Sequence, residues 1–141
     1  NRESSLPVVE VEDKQPIFPG KIYMAPANYH LLVEEGHFAL STEGPVQFAR
    51  PSIDVLFESA ADTYRNRVVA VLLSGSNSDG AQGMARVKEN GGLAVVQDPA
   101  TAESRVMPDA AIAATEVDWI LPLSEIPLFL TKLVEKAAVT L

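Results

Sequence analysis

The chain is predicted to be an α/β protein: a doubly wound, mostly parallel sheet in three αβα layers, with an antiparallel hairpin attached. Three observations lead there. From residue 51 onward, helical patterns alternate with short apolar runs in the order α-β-α-β-α-β-α. Such alternation implies parallel strands joined by crossover helices. The run 68–73 (VVAVLL) is apolar at nearly every position, as expected for a strand covered on both faces. Two short apolar-rich runs, 29–34 and 37–41, flank Glu35-Gly36, a hairpin signal in which Gly supplies φ > 0.

Taken in order, residues 1–19 are polar and proline-rich, and Val8, Val9 and Val11 hint at a short strand. This stretch reads as a linker or edge segment. Residues 21–25 (KIYMA) form a short strand ended by Pro26, and the hairpin follows. After a polar loop over 42–50, a helix is predicted over 51–65, with Pro51 in its first turn, where a missing N–H does no harm. Ile53, Leu56, Phe57, Ala60, Ala61 and Tyr64 make its apolar stripe. The strand 68–73 comes next, then a polar loop 74–80. A helix over 81–90 turns Met84, Ala85 and Val87 inward and stops at Gly91. A strand over 93–96, a loop over 98–104, an alanine-rich helix over 108–115 and a strand over 119–121 follow. Ser124 is placed as the cap of a last helix over 125–138, with Pro127 in its first turn and Ile126, Phe129, Leu130 and Leu133 facing inward.

Length and composition bound the function. At 141 residues the chain is one domain or part of one, and a hydrophobic fraction of 47% supports a core. Its net charge is −8 and its eleven basic residues are scattered, which argues against a nucleic-acid surface. With no cysteine, disulfides, thiolate zinc sites and a Cys nucleophile are excluded. No apolar run reaches the roughly 18 residues of a membrane span, and the charged first fifteen residues lack the apolar core of a signal peptide. The missing initiator Met suggests a chain that begins inside a longer gene product.

The chemistry is sought in Ser74-Gly75-Ser76-Asn77-Ser78-Asp79-Gly80, because open α/β sheets place their sites outside the carboxyl ends of strands. Gly75 and Gly80 have P-loop spacing, but Ala81 and Gln82 stand where Lys and Ser/Thr belong. Neither Ser76 nor Ser78 has the flanking glycines of a nucleophile elbow. Asp79 is the loop's only ionisable side chain. It suits the orienting acid of a Ser-His-Asp triad, which must be held rigidly. It equally suits an N-cap for the helix that follows. The two histidines are His30, expected to make a structural hydrogen bond, and His37, expected to be solvated at the hairpin turn. Asp54 falls in a first helical turn, where its charge favours the dipole, with Arg50 near enough to pair with it. Asp98 reads as turn chemistry and Trp119 as a core or interface residue. Two separated histidines and no close carboxylate cluster give metal ligation no support.

Several spaced motifs together resemble the catalytic domain of the CheB-type chemotaxis methylesterases. They are Arg50-Pro51-Ser52-Ile53-Asp54-Val55-Leu56-Phe57, Val71-Leu72-Leu73-Ser74-Gly75 and Ser78-Asp79-Gly80-Ala81-Gln82-Gly83-Met84. Tyr23-Met24-Ala25-Pro26 with His30, and the loop 97–108 with Ala102 and Met107-Pro108, add to them. The resemblance covers roughly residues 17–135, so 1–19 is set apart as a linker or edge and 20–141 as the C-terminal part of the domain.

The resemblance implies a cytoplasmic serine hydrolase without cofactor. It would act on glutamyl methyl esters of chemoreceptor cytoplasmic helices, release methanol, and deamidate receptor glutamines. A receiver domain that gates the site is a further expectation for the parent protein. Asp79 matches the triad aspartate, and Ser76 and Asn77 become candidate neighbours of the oxyanion site. The family usually has Met where Ser76 stands. The nucleophilic Ser, in a Ser-Thr-Gly-Gly turn, and the His belong to upstream motifs absent from this chain. An isolated half-domain would be a poor esterase and would leave an open sheet edge. A non-catalytic module that binds a receptor or signalling partner is the alternative.

Overall fold

The computed structural model describes residues 6–46 and 49–140, the side chains of 135–140 excepted. The first five residues of the predicted edge segment, positions 47 and 48 of the predicted loop and the side chain of Ala138 lie outside the described residues. The elements are β1 (Val8–Glu10), β2 (Ile22–Met24), β3 (His30–Glu34), β4 (His37–Ser41), α1 (Ile53–Tyr64) and β5 (Val69–Leu72), then α2 (Ala81–Glu89), β6 (Leu93–Gln97), α3 (Val106–Ala114), β7 (Trp119–Leu121) and α4 (Ile126–Thr140).

The predicted α/β class and hairpin are both present. β5, β6 and β7 form a parallel sheet in that order. Its register sets Ala70 beside Ala94 and Leu72 beside Val96. These four small or branched side chains face Met84 and Val87 of α2, Ala111 of α3 and Ala61 of α1, which together make the main core. Burying a side chain such as Met84 or Val87 stabilises the fold by about 1.5–3 kcal/mol each. The register also sets Val95 beside Trp119 on the opposite face. There Phe129 of α4 stacks on Trp119 with ring centroids 4.7 Å apart. Helices therefore cover both faces.

α1 is packed on two sides. Its Ile53 and Phe57 lie against the main core, and its Leu56 joins a second core of Val11, Leu31 and Phe38 under the hairpin. Polar ties fix that hairpin to the helix. Ser59 Oγ accepts from Val33 N (2.9 Å), Thr63 Oγ1 donates to Val33 O (3.0 Å) and Tyr64 Oη accepts from Gly36 N (2.9 Å). β1 pairs in parallel with β2, so Val8 and Val9 do build a strand, while Val11 follows its end and enters the second core.

Several local expectations need correction. Pro51 is outside α1, in a cis bond after Arg50, and Ser52 is the N-cap. Pro108 sits inside the first turn of α3 rather than opening it. Ser124 does not cap the last helix but lies within a 3-10 turn, Leu123–Glu125, that leads into it. The strand predicted over 68–73 is not covered throughout: Val69 is 41% exposed. β5 is the sheet's edge strand here, whereas β6 is the central one and is buried from Ala94 to Gln97.

α1 and α2 cross closely at Gly83. A Cβ there would stand 2.6 Å from Phe57 Cβ and 3.1 Å from Asp54 Cα, the second contact being to backbone that cannot yield. Gly83→Ala is expected to lower stability by about 1–3 kcal/mol through overpacking, despite alanine's better helix propensity. Urea denaturation of the variant beside the wild type measures it.

Candidate active site

β5 delivers the chain into the polar loop, and the loop ends at Gly80. There φ is +103°, and a Cβ would meet Leu72 Cδ1 at 2.7 Å. A residue with a side chain fits neither the conformation nor the space. This turn sends Asp79 away from its own helix and toward the start of α1. Asp79 Oδ1 accepts from Ser52 Oγ (2.8 Å) and Asp54 N (3.0 Å), and Oδ2 accepts from Ile53 N (2.7 Å). The expectation that Asp79 caps the helix following it is thus corrected. α2 begins at Ala81, and its N-cap residue, Gly80, offers no side-chain cap.

The cap of α2 comes from Asp54. Its Oδ1 accepts from Gly80 N (2.9 Å) and Gly83 N (2.8 Å). Each carboxylate therefore serves the other helix's N-terminus, where unpaired N–H groups and the dipole favour negative charge. Asp79 is 2% exposed and Asp54 3%. Burial pushes the Asp54 carboxyl above its ordinary range, and the Asp79 charge adds to that, against the amides of Gly83 and Gly80. Glu58, one turn along α1, is raised by burial and then by Asp54.

Ser52 completes the arrangement. Its hydroxyl donates to Asp79 and accepts from Val55 N (3.4 Å), and its own N–H donates to His30 Nδ1 (3.1 Å). His30 Nε2 donates to Gly44 O (2.9 Å). A serine, a histidine and an aspartate thus meet, yet not as a hydrolytic triad. The serine hydroxyl binds the carboxylate directly, the imidazole binds an amide, and both ring nitrogens are occupied. Ser52 and His30 are each only 2% exposed. His30 is structural, as its sequence context suggests. Ser52 is the site residue that pattern reading misses. Its signal is a Ser directly before the periodic stripe, obscured by starting the helix at Pro51.

The loop itself is braced from the next strand. Buried Gln97, at the end of β6, accepts from Ser74 N through Oε1 (2.9 Å). Gly75 O accepts from Met107 N (3.1 Å) and Ser104 Oγ (2.8 Å). Asn77 Oδ1 accepts from Asp79 N (2.9 Å), an Asx turn inside the loop. Ser76 is exposed at the loop's tip. An apolar pocket of about 170 Å³ opens beside Ser52, lined also by Ala25, Leu31, Pro51, Ile53 and Leu56.

The remaining sequence candidates lie elsewhere. Arg50 does not pair with Asp54; it donates to the carbonyls of Thr42 and Glu43 (3.1 and 3.2 Å). His37 is not simply solvated but meets Glu34 Oε1 at 2.8 Å. Asp98 caps a 3-10 turn by accepting from Ala100 N (3.0 Å). Among the described residues no helix is long and apolar enough to cross a membrane.

With a buried aspartate at the end of the β5–α2 loop in place, likeness to known proteins can be stated. The chain matches the family model described as CheB methylesterase over residues 1–130. The chain belongs to the CheB methylesterase family. A relative from Leptospira interrogans is 53% identical over 123 residues, covering 86% of this chain and 64% of its own length. The protein-glutamate methylesterase/protein-glutamine glutaminase of Hydrogenovibrio crunogenus is 38% identical over 140 residues, covering 96% of this chain and 37% of its own length. The crystal structure of the Thermotoga maritima CheB methylesterase catalytic domain superposes with a TM-score of 0.82 at 33% identity, over 88% of this chain and 68% of that one. The chain thus spans less than two thirds of either relative's length.

Ser52→Ala removes a helix cap and one of the donors on Asp79. It is expected to cost about 1–3 kcal/mol in chemical denaturation. A loss below about 0.5 kcal/mol would mean that the hydroxyl holds neither.

Proposed function

We propose that the protein to which this chain belongs is a protein-glutamate methylesterase acting on glutamyl methyl esters of chemoreceptor cytoplasmic helices. Asp79 is the orienting acid of its Ser-His-Asp triad. The observation that carries the reading is the way Asp79 is held: buried, in the loop between β5 and α2, with donors from Ser52, Ile53 and Asp54 fixing its carboxylate. A triad acid needs that fixity, because its work is to hold one imidazole tautomer and stabilise the imidazolium. Oδ1 already accepts twice and Oδ2 once, so Oδ2 has a lone pair to spare for an imidazole N–H.

In this scheme the serine and histidine come from sequence outside this chain, since the Ser52 hydroxyl is committed to Asp79 and the His30 ring to Ser52 N and Gly44 O. The serine oxygen attacks the ester carbonyl while the histidine takes its proton. Collapse expels methanol, which leaves with that proton, and water then hydrolyses the acyl-enzyme to glutamate. The same sequence on a glutamine side chain expels ammonia, which gives deamidation. The loop residues Ser76 and Asn77, beside Asp79, are proposed to border the oxyanion. The substrate sits on cytoplasmic helices, so the reaction belongs to the cytoplasm. The greater length of the Hydrogenovibrio relative leaves room for a receiver domain as regulator.

Asp79→Asn in the full-length protein is expected to lower methanol release from methylated receptor about 10⁴-fold. The comparison counts when near-ultraviolet circular dichroism is native-like, because the carboxylate also caps α1. Turnover at the wild-type rate in a folded variant would remove Asp79 from the triad.

A further inference from the structure

The guanidinium just ahead of α1 is only partly satisfied. Among the described residues, Arg50 makes both its hydrogen bonds through Nη1, to the carbonyls of Thr42 and Glu43 (3.1 and 3.2 Å). Nε is buried and has no partner, and Nη2 is neither buried nor bonded. Buried N–H groups almost always find an acceptor, so an orphan asks for a cause. None of the ion pairs among the described residues includes Arg50, whereas Arg86 and Arg105 are paired with Asp62 and Asp109.

The free edge has a specific shape. Nε and Nη2 carry two parallel N–H bonds on one side of a planar group, the geometry that matches the two oxygens of a carboxylate. The group is held in place, because Nη1 is fixed by two carbonyls that follow β4. A carboxylate that reaches Nη2 lies on the edge shared with Nε and gives both an acceptor.

The network that holds Asp79 also sets the position of Arg50. Gly44 O, beside the two carbonyls that grip Arg50, accepts from His30, whose ring accepts from Ser52 N, and the Ser52 hydroxyl binds Asp79. Arg50 is two residues from Ser52, at most about 7 Å along the backbone. Pro51, between them, lines the apolar pocket beside Ser52. A helix rises about 5.4 Å per turn. A side chain one or two turns from the group under attack therefore falls within reach of an arginine so placed.

We infer that Arg50 is a specificity-determining residue that grips, through Nε and Nη2, a glutamate carboxylate of the substrate helix one or two turns from the reacting ester. The choice of substrate rests on the methylesterase reading above. Under that reading the reaction makes its own ligand, since every hydrolysed ester leaves a glutamate on the helix. With a net charge of −8 the chain repels an acidic helix at long range. The contact therefore acts by fixing the register in which the next ester is presented, not by steering the encounter.

The test measures equilibrium binding of the full-length protein to two receptor cytoplasmic fragments. One carries glutamate at every methylation position, and the other keeps one glutamate and has alanine at the rest. The wild type is expected to bind the first about 10-fold more tightly, the worth of one charge-assisted contact. Arg50→Gln is expected to bind both alike, at the wild type's level for the alanine fragment. Arg50→Lys, a point charge without the fork, is expected to lose most of the preference. Equal binding by the wild type, or a full preference in either variant, overturns the proposal. A variant that merely loosens residues 42–44 weakens both fragments and keeps their ratio, which counts against recognition.

Turnover separates this proposal from the reading of function. On a fragment with one methyl ester among glutamates, Arg50→Gln is expected to raise KM about 10-fold with kcat unchanged. A loss confined to kcat refutes the grip. A wild type that releases no methanol yet prefers the glutamate fragment removes the methylesterase reading and leaves the carboxylate grip standing.

Discussion

The exchange of caps between α1 and α2 is the interaction on which the site depends. A buried carboxylate is costly unless several donors replace its water. Helix N-termini offer such donors, but normally to a residue of the same chain segment. Here Asp79 reaches across to Ile53 and Asp54, and Asp54 reaches back to Gly80 and Gly83. The two helices therefore cannot slide or rotate against each other without stripping donors from both acids. The glycines make this geometry accessible. Gly83 lets the helix backbones approach, and Gly80 turns the chain so that Asp79 leaves its own axis.

That constraint propagates outward through α1. Ser52 ties the head of the helix to His30, at the start of β3, and through that ring to Gly44 beyond the hairpin. Ser59, Thr63 and Tyr64 tie later turns to the same hairpin. The hairpin is thereby referenced to the residue that grips Asp79, and so is the apolar pocket beside Ser52. On the sheet side, Gln97 and Ser104 hold the first half of the loop while Asn77 holds the second. A segment of seven residues that reads as a free loop is fastened at both ends by side chains distant in sequence.

This divides what the sequence discloses from what it conceals. The class, the hairpin and the alternation of helices and strands are local properties, written in hydrophobic period and glycine placement. The polar residues around Asp79 are not local. Nothing in the spacing of Asp54 and Asp79 says that each serves the other's helix, and a carboxylate beside a helix start reads most simply as that helix's own cap. Val69 shows the same limit for strands. Its apolar run signals burial, but whether an apolar strand is central or at an edge depends on which strands it meets. Ser52 falls between the two cases. Its position before the stripe is a cap signal, yet its bond to Asp79 spans 27 residues.

The unused capacity of the site points in one direction. His30 has no free nitrogen and the Ser52 hydroxyl is spent, so the polar groups nearest Asp79 have already been used to hold it. What remains, among the described residues of the crossing and its loop, is one accepting position on Asp79 Oδ2, the donorless Asp54 Oδ2 and an exposed loop tip at Ser76. A carboxylate fixed this firmly and left with a single open acceptor is built to receive one donor in one direction. Under the triad role proposed for Asp79, an acid orients a base rather than moving a proton itself, so the rigidity of the α1–α2 crossing would be its contribution to catalysis, and the chemistry would belong to the groups that dock against it.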